Sequence, residues 1–185
     1  MLKLDTKEEK ELVIALQSGK DSNAAFSKLI NLYKQRLYWH IRNMVKNHED
    51  TDDILQNVFI KVHRNIKNFK GDSKLYSWLY RIATNESITF LNQKAKKFNI
   101  SYEELSIKLV QNLKADIYYE GDEMQLKFQK AIASLPQKQQ QVFNMKYFQE
   151  MKYKDMSEIL DTSEGALKAS YHIATKKIED FLKNN

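Results

Sequence analysis

The stretch YKDMSEILDTSEGALKASYHIATKKIEDFL, residues 153–182, decides the fold. Met156, Ile159 and Leu160 recur at helical spacing, and Leu167, Tyr171, Ala174, Ile178 and Phe181 form a second stripe along one helix face. Between the two runs lies Asp161-Thr162-Ser163-Glu164-Gly165, a tight polar turn in which Ser163 is suited to cap the second helix by accepting a backbone N–H bond. The pattern predicts a helix-turn-helix. Opposite the stripe stand Lys168, Ala169, His172 and Lys176, small or basic residues able to approach a major groove. A two-helix corner of an ordinary bundle would show the same apolar spacing, so the segment needs support from the rest of the chain.

Outward from it, the composition favours helices throughout. Only four Gly and one Pro occur in 185 residues, too few breakers for a sheet-rich chain. A formal charge of +6 suits a polyanionic partner without naming it. The absence of cysteine excludes a disulfide scaffold and thiolate zinc sites. The histidines, His40, His48, His63 and His172, are scattered and make no metal-ligand motif. The chain begins MLKLDTKEEKEL, without the apolar core of a signal segment, and no run approaches the roughly 18 apolar residues of a membrane span. A cytoplasmic location, with no cofactor and no metal, is the expectation.

Periodicity predicts a short helix over Lys7–Gln17 and a long one from Asn23 to about Lys46, with Phe26, Leu29, Ile30, Tyr33, Leu37, Ile41 and Met44 on its apolar face. A third is expected to start at Thr51 as N-cap, with Asp52 and Asp53 as favourable first-turn charges. Its core face is Ile54, Leu55, Val58, Phe59, Val62 and Ile66. Residues 69–73 read as a turn in which Ser73 caps a helix running from Lys74 to about Lys97. In that helix Leu75, Trp78, Leu79 and Ile82 share the buried side, leaving Tyr76 and Tyr80 to point elsewhere beside Arg81 and Asn85. Aromatic faces, an amide and the downstream Lys94, Lys96 and Lys97 suit unpaired bases and their phosphates, although the same aromatics would serve as core and the same lysines as a solvated helix end.

Residues 99–124 carry two lysines, Lys108 and Lys114, against Glu103, Glu104, Asp116, Glu120, Asp122 and Glu123, a local net charge of −4. An aperiodic acidic linker is expected over 99–123. Periodicity resumes with Met124, Phe128, Ala131 and Ile132. Pro136 sits where a first helical turn tolerates it, and Val142, Phe143, Tyr147 and Phe148 give the next helix a buried edge. The fold class is therefore all-α, with one small helical domain over 1–98, a linker over 99–123 and a second helical domain over 124–185.

Three segments in this order resemble the bacterial RNA polymerase sigma factors of the extracytoplasmic-function group. DDILQNVFIKVHRNI (52–66) is similar to the family's core-polymerase-binding helix. FKGDSKLYSWLYRIATNESITFLNQKAKK (69–97) resembles its promoter-melting and minus-10 segment, and SLPQKQQQVFNMKYFQEMKYKDMSEILDTSEGALKASYHIA (134–174) its minus-35-binding domain. The resemblance implies that Asp52, Asp53, Gln56 and Phe59 dock on the clamp helices of the polymerase's largest subunit. It implies that Phe69, Ser73, Trp78, Arg81 and Asn85 hold an extruded minus-10 base, with Lys94, Lys96 and Lys97 nearby. For the minus-35 duplex it implies Ser163, Glu164, Gly165, Lys168, Ala169, His172 and Lys176. The linker resembles a segment that threads through the polymerase, and an anti-sigma partner is expected from the family.

The chain departs from the family's pattern at Asn57, His63 and Asn92, and Ser170 and Ile173 stand where Arg is common. The function implied is promoter recognition and melting with core RNA polymerase, without covalent chemistry of its own. A stand-alone helix-turn-helix regulator leaves 75–97 without a role. A nucleic-acid enzyme would need more than Asp52 and Asp53, which project about 100° apart on a helix with no third acid evident. A pure protein adaptor leaves two nucleic-acid-like surfaces unexplained.

Overall fold

The computed structural model describes residues 6–18, 22–115 and 121–184 of the chain. Among the described residues there are nine α-helices and no strand: α1 (Thr6–Ser18), α2 (Ser22–Val45), α3 (His48–Asn65), α4 (Leu75–Phe98), α5 (Tyr102–Gln111), α6 (Glu123–Ala133), α7 (Gln137–Tyr147), α8 (Tyr153–Leu160) and α9 (Glu164–Asn184). A short 3-10 turn, Ile66–Asn68, ends α3.

Helices α1 to α4 pack around Leu29, Leu37, Ile41, Val58, Val62, Leu75 and Leu79, all fully buried. Helix α6 meets α7 and α9 through Ala131, Ile132, Leu135, Phe143, Ala174 and Ile178. These two groups are the expected helical units, and they touch. Val142, Met145, Met151, Met156, Ile159 and Leu167 belong to the same apolar cluster as the α1–α4 core. Helix α4 packs on α2, α3 and α8. That enclosure corrects the expected wheel for α4: Tyr76 and Tyr80 are buried and Trp78 and Ile82 only half-buried, because more than one face of this helix is covered. Their rings lie 4.5 Å apart. Burial holds the Tyr76 phenol well above its usual range and pushes Tyr80 up to about 12.

Four further expectations are corrected. Helix α3 begins a turn before Thr51, with Asn47 as the cap accepting from Asp50 N at 2.8 Å. Thr51 is buried and its hydroxyl donates to Asn47 O, so Asp52 and Asp53 fall in the second turn, beyond the strong end of the helix dipole. Ser73 does not cap α4, whose N-cap position is Lys74 with no side-chain bond of its own. Helix α5 lies within the segment expected to be an aperiodic linker; Ser101 and Glu104 form a capping box, and Leu105, Leu109, Val110 and Leu113 are buried. The four apolar residues are helically spaced, just after the acidic pair Glu103-Glu104; residues 116–120 of that segment, including Asp116 and Glu120, lie outside the described residues. Finally Met124, Tyr147 and Phe148 are exposed; Phe128 and Phe143 occupy the interior, with Tyr147 stacked on Phe143 from outside at 5.1 Å.

Candidate polymerase-docking and promoter-DNA surfaces

The first surface is a groove of about 590 Å³ between α2 and α3. Phe26, Ile30 and Phe59 line it together with Asp52, Asp53 and Gln56. Phe26 meets Phe59 edge-on at 6.4 Å and His63 at 5.0 Å. Helical spacing on α3 puts Asp52, Gln56 and Phe59 along one edge, so all four docking candidates come together. Asp52 also has a local partner, His48, four residues back at 3.4 Å. Ile60, 42 % exposed, extends the apolar edge to solvent.

The second surface is the turn between α3 and α4 with the first turns of α4. Phe69 packs on Trp78 with ring centroids 5.2 Å apart, so Trp78 props the turn. Gly71 sits at φ +77°, in the left-handed region that favours glycine. Phe69, Gly71, Asp72 and Ser73 line a cavity of about 460 Å³, within the ~300–1,000 Å³ range of small-ligand pockets. Asn85 is exposed one turn beyond Arg81. Arg81 itself donates to the backbone carbonyl of Glu158, on α8.

The lysines divide. Lys96 and Lys97 are exposed at the end of α4, about 24 Å along the axis from Arg81 at 1.5 Å per residue. Lys94 is half-buried, bonded to Asp50 of α3 and lying 5.3 Å from the Phe90 ring. Its ion pair with Asp50 sets it apart from Lys96 and Lys97.

On the third surface, Ser163, Glu164, Gly165, Lys168, Ala169, His172 and Lys176 are all exposed along α9 and its cap. Ser163 Oγ accepts from Ala166 N at 3.3 Å, the expected cap. Asp161, at φ +49°, makes the left-handed turn that lets α8 end and α9 begin. Lys168 Nζ lies 5.7 Å from the Tyr153 ring, which steadies it at the exposed edge.

Sequence reasoning missed the seam that joins these surfaces. Lys74 Nζ donates to Asp155 Oδ1 at 3.0 Å, and that bond raises the Lys74 ammonium above its usual range. Buried His40 bonds Thr84 of α4 through Nε2 at 2.8 Å. The Thr84 hydroxyl donates to Tyr80 O at 2.7 Å, so it accepts from Nε2–H, and His40 Nδ1 accepts from Gln149 Nε2 at 2.8 Å. Burial lowers the His40 imidazole to about 4, leaving it neutral near pH 7. Asn144 donates to Asn43 O and Lys46 to Gln129 across the same seam. These pairs are 81 to 109 residues apart, and no local pattern announces them.

The chain thus presents three separate candidate surfaces, a groove between α2 and α3, a cavity before α4 and an exposed polar face along α9. The comparisons assign its family. The sigma-70 region 2 family model matches residues 29–97 and the sigma-70 region 4 model residues 125–178. The chain is 29 % identical over 164 residues to the ECF RNA polymerase sigma factor SigW of Bacillus subtilis (strain 168), covering 84 % of this chain and 88 % of that one. It is 26 % identical over 181 residues to the ECF RNA polymerase sigma-E factor of Haemophilus influenzae, covering 93 % and 94 %. In fold it matches CnrH, solved in complex with the cytosolic domain of CnrY, at a TM-score of 0.70 and 17 % identity over 96 % of this chain and 98 % of that one. The sigma factor RpoE of Bartonella quintana, solved with the anti-sigma factor NepR, matches at 0.64 and 18 % identity over 86 % and 98 %. The chain belongs to the extracytoplasmic-function group of RNA polymerase sigma factors, and its function is promoter recognition in transcription initiation.

Proposed function

We propose that the three surfaces divide that function among them. The α2–α3 groove, with Asp52, Asp53, Gln56 and Phe59, docks on core RNA polymerase. The exposed face of α9 reads the minus-35 duplex in the major groove. The turn before α4, with Phe69, Ser73, Trp78, Arg81 and Asn85, captures an extruded base of the minus-10 strand, and Lys96 and Lys97 hold phosphates downstream. Residues 1–98 and 124–185 are the two working domains, joined by a segment that carries α5. Bond formation belongs to the polymerase, and this chain acts beside it in the cytoplasm without catalytic residues of its own. An anti-sigma protein is the expected regulator; the similar RpoE of Bartonella quintana was solved in complex with the anti-sigma factor NepR.

The observation that carries the reading is the cavity of about 460 Å³ before α4, lined by Phe69 and Ser73 with Trp78 packed on Phe69, and the exposed Asn85 farther along the same helix. A stand-alone regulator has no use for it. For Arg81 to reach DNA, its bond to Glu158 O must break and its side chain must turn away from α8. Reconstituted transcription with core polymerase on a promoter library tests the function: selective initiation requires both this chain and the core. Tight operator binding by the chain alone, without stimulation of the core, would reverse the reading.

A further inference from the structure

The turn from Ile66 to Leu75 is held by a helix that lies outside both family-matched segments. Gln17 of α1 donates through Nε2 to two carbonyls, Ile66 O at 3.0 Å and Phe69 O at 2.8 Å. Both belong to the chain leaving α3, where a helix end leaves acceptors without an intrahelical donor. At the other end of the turn Glu9 Oε1 accepts from Leu75 N at 2.9 Å. Leu75 opens α4, and its cap residue Lys74 offers no side-chain bond. Glu9 is thus a cap supplied from another helix, and its negative charge suits that N-terminus.

Between these anchors the turn is weakly self-supporting. Its backbone bond Phe69 N to Ile66 O, at 3.1 Å, closes only the first part, and Gly71 at φ +77° provides a swivel in the middle. Helix α1 itself is fixed by Leu12 and Leu16, which are buried in the core. The same helix walls the cavity: Val13 and Ile14 face Phe69 and Ser73 across it. Ile14 is 65 % exposed, an isoleucine whose branched chain forms part of an open pocket rather than of the core.

We infer that α1 is the frame of the strand-capture site: Glu9 and Gln17 are positioning residues that fix the 66–75 turn, and Val13 and Ile14 form the apolar wall against which an extruded promoter base lies. This rests on the minus-10 reading given under Proposed function. A flat base is the occupant because Phe69, Val13 and Ile14 give the cavity apolar surface for its faces, and Ser73 and Lys10 give polar groups for its edge and phosphate. Of the charges around it, the Glu9 carboxylate is committed to Leu75 N and the Lys74 ammonium to Asp155, with Lys10 set against Asp72 and Glu158 in the rest of the lining.

The test uses holoenzyme assembled from the full chain and core polymerase. The probe is a labelled single-stranded oligonucleotide bearing the minus-10 sequence selected by the promoter library, with a parallel series carrying one abasic site at each position. Wild type loses affinity at the position whose base is captured. Ile14→Ala binds the intact strand about fivefold more weakly, yet binds the strand abasic at that position as wild type does. Glu9→Ala and Gln17→Ala weaken binding about tenfold, and Glu9→Gln, which keeps an acceptor oxygen, restores most of it. Core association and minus-35 duplex binding are unchanged in all four.

If Ile14→Ala loses the same factor on intact and abasic strands, the wall is not where the base lies. If Glu9→Gln is as weak as Glu9→Ala, the bond to Leu75 N is not what positions the turn. Asn85→Ala, measured alongside, separates the two levels. Weak capture by Asn85→Ala with wild-type behaviour in the α1 variants overturns the inference alone. Wild-type capture in every variant, Asn85→Ala included, overturns the minus-10 reading and the inference with it.

Discussion

The exposed face of α9 and the start of α4, the two candidate DNA surfaces, are built in opposite ways. On α9 the candidate contacts run along one helix face, every one exposed, with a cap made by the turn that precedes them. At α4 the site is assembled from α1, the 66–75 turn, α4 itself and, across the seam, α8. The α9 surface is ready as it stands. At the α4 surface Arg81 is bonded to Glu158 O, and α8 is held beside it both by Lys74–Asp155 and by the buried Met156 and Ile159. On the reading proposed above, duplex contact uses side chains already exposed on α9, whereas strand capture by Arg81 needs its bond to Glu158 O to break.

The largest expected effect lies in the seam. His40 is at about 4 in the folded chain against an ordinary 6.5, so the unfolded state takes up a proton that the folded state refuses. Its contribution is fully present above pH 6.5 and is lost as the pH falls toward 4, by about 3 kcal/mol in all. Urea unfolding at pH 7, 5.5 and 4.5 should show that loss, and His40→Asn should lessen the slope. An equal slope in the variant would remove His40 as the acid-sensitive element of the seam.

Next in size is docking. The double change Asp53→Ala with Gln56→Ala should weaken core-polymerase association about tenfold with circular dichroism unchanged, because neither residue caps α3. Loss of helicity would give these residues a structural role instead. Smaller is the effect of opening the seam by charge removal. Asp155→Asn should raise binding of a single-stranded minus-10 oligonucleotide by the free protein about threefold, leaving duplex binding by α9 as it was; an equal gain on both would mean that the two surfaces are covered together. Smallest is Lys168→Ala, which should weaken minus-35 binding by a few-fold, nearly uniformly across sequences, and make the salt dependence shallower by about one charge. A sequence-dependent loss would make Lys168 a base contact.

How much was legible follows the same division. The helix-turn-helix, its Ser163 cap and the exposed face of α9 could be read directly, because every determinant lies within 25 residues and helical periodicity fixes which side chains share a face. The docking candidates on α3 were legible for the same reason, although Thr51 was mistaken for a cap; Asn47 makes an equally good one and the earlier start buries Thr51. The frame of the capture site was not legible. Gln17 is 49 and 52 residues from its acceptors and Glu9 is 66 from Leu75, and a glutamine on a short amphipathic helix carries no sign of its partner. Burial of Tyr76 and Tyr80 was misread because a single-face wheel cannot anticipate a helix enclosed by three others. In α5 Glu103 and Glu104 sit on the exposed side and Leu105, Leu109 and Val110 on the buried one, an apolar period short enough to be lost in a segment of net charge −4.

The most direct measurement of the account is permanganate footprinting of melted thymines on one selected promoter, using holoenzyme made with wild type, Asn85→Ala and Lys168→Ala. With Asn85→Ala the minus-35 duplex should stay protected while thymine reactivity in the minus-10 region falls about tenfold. With Lys168→Ala occupancy and melting should fall together, and raising the holoenzyme concentration should restore both. Full melting by Asn85→Ala, together with wild-type binding and melting by Lys168→Ala, would contradict the placement of both DNA surfaces.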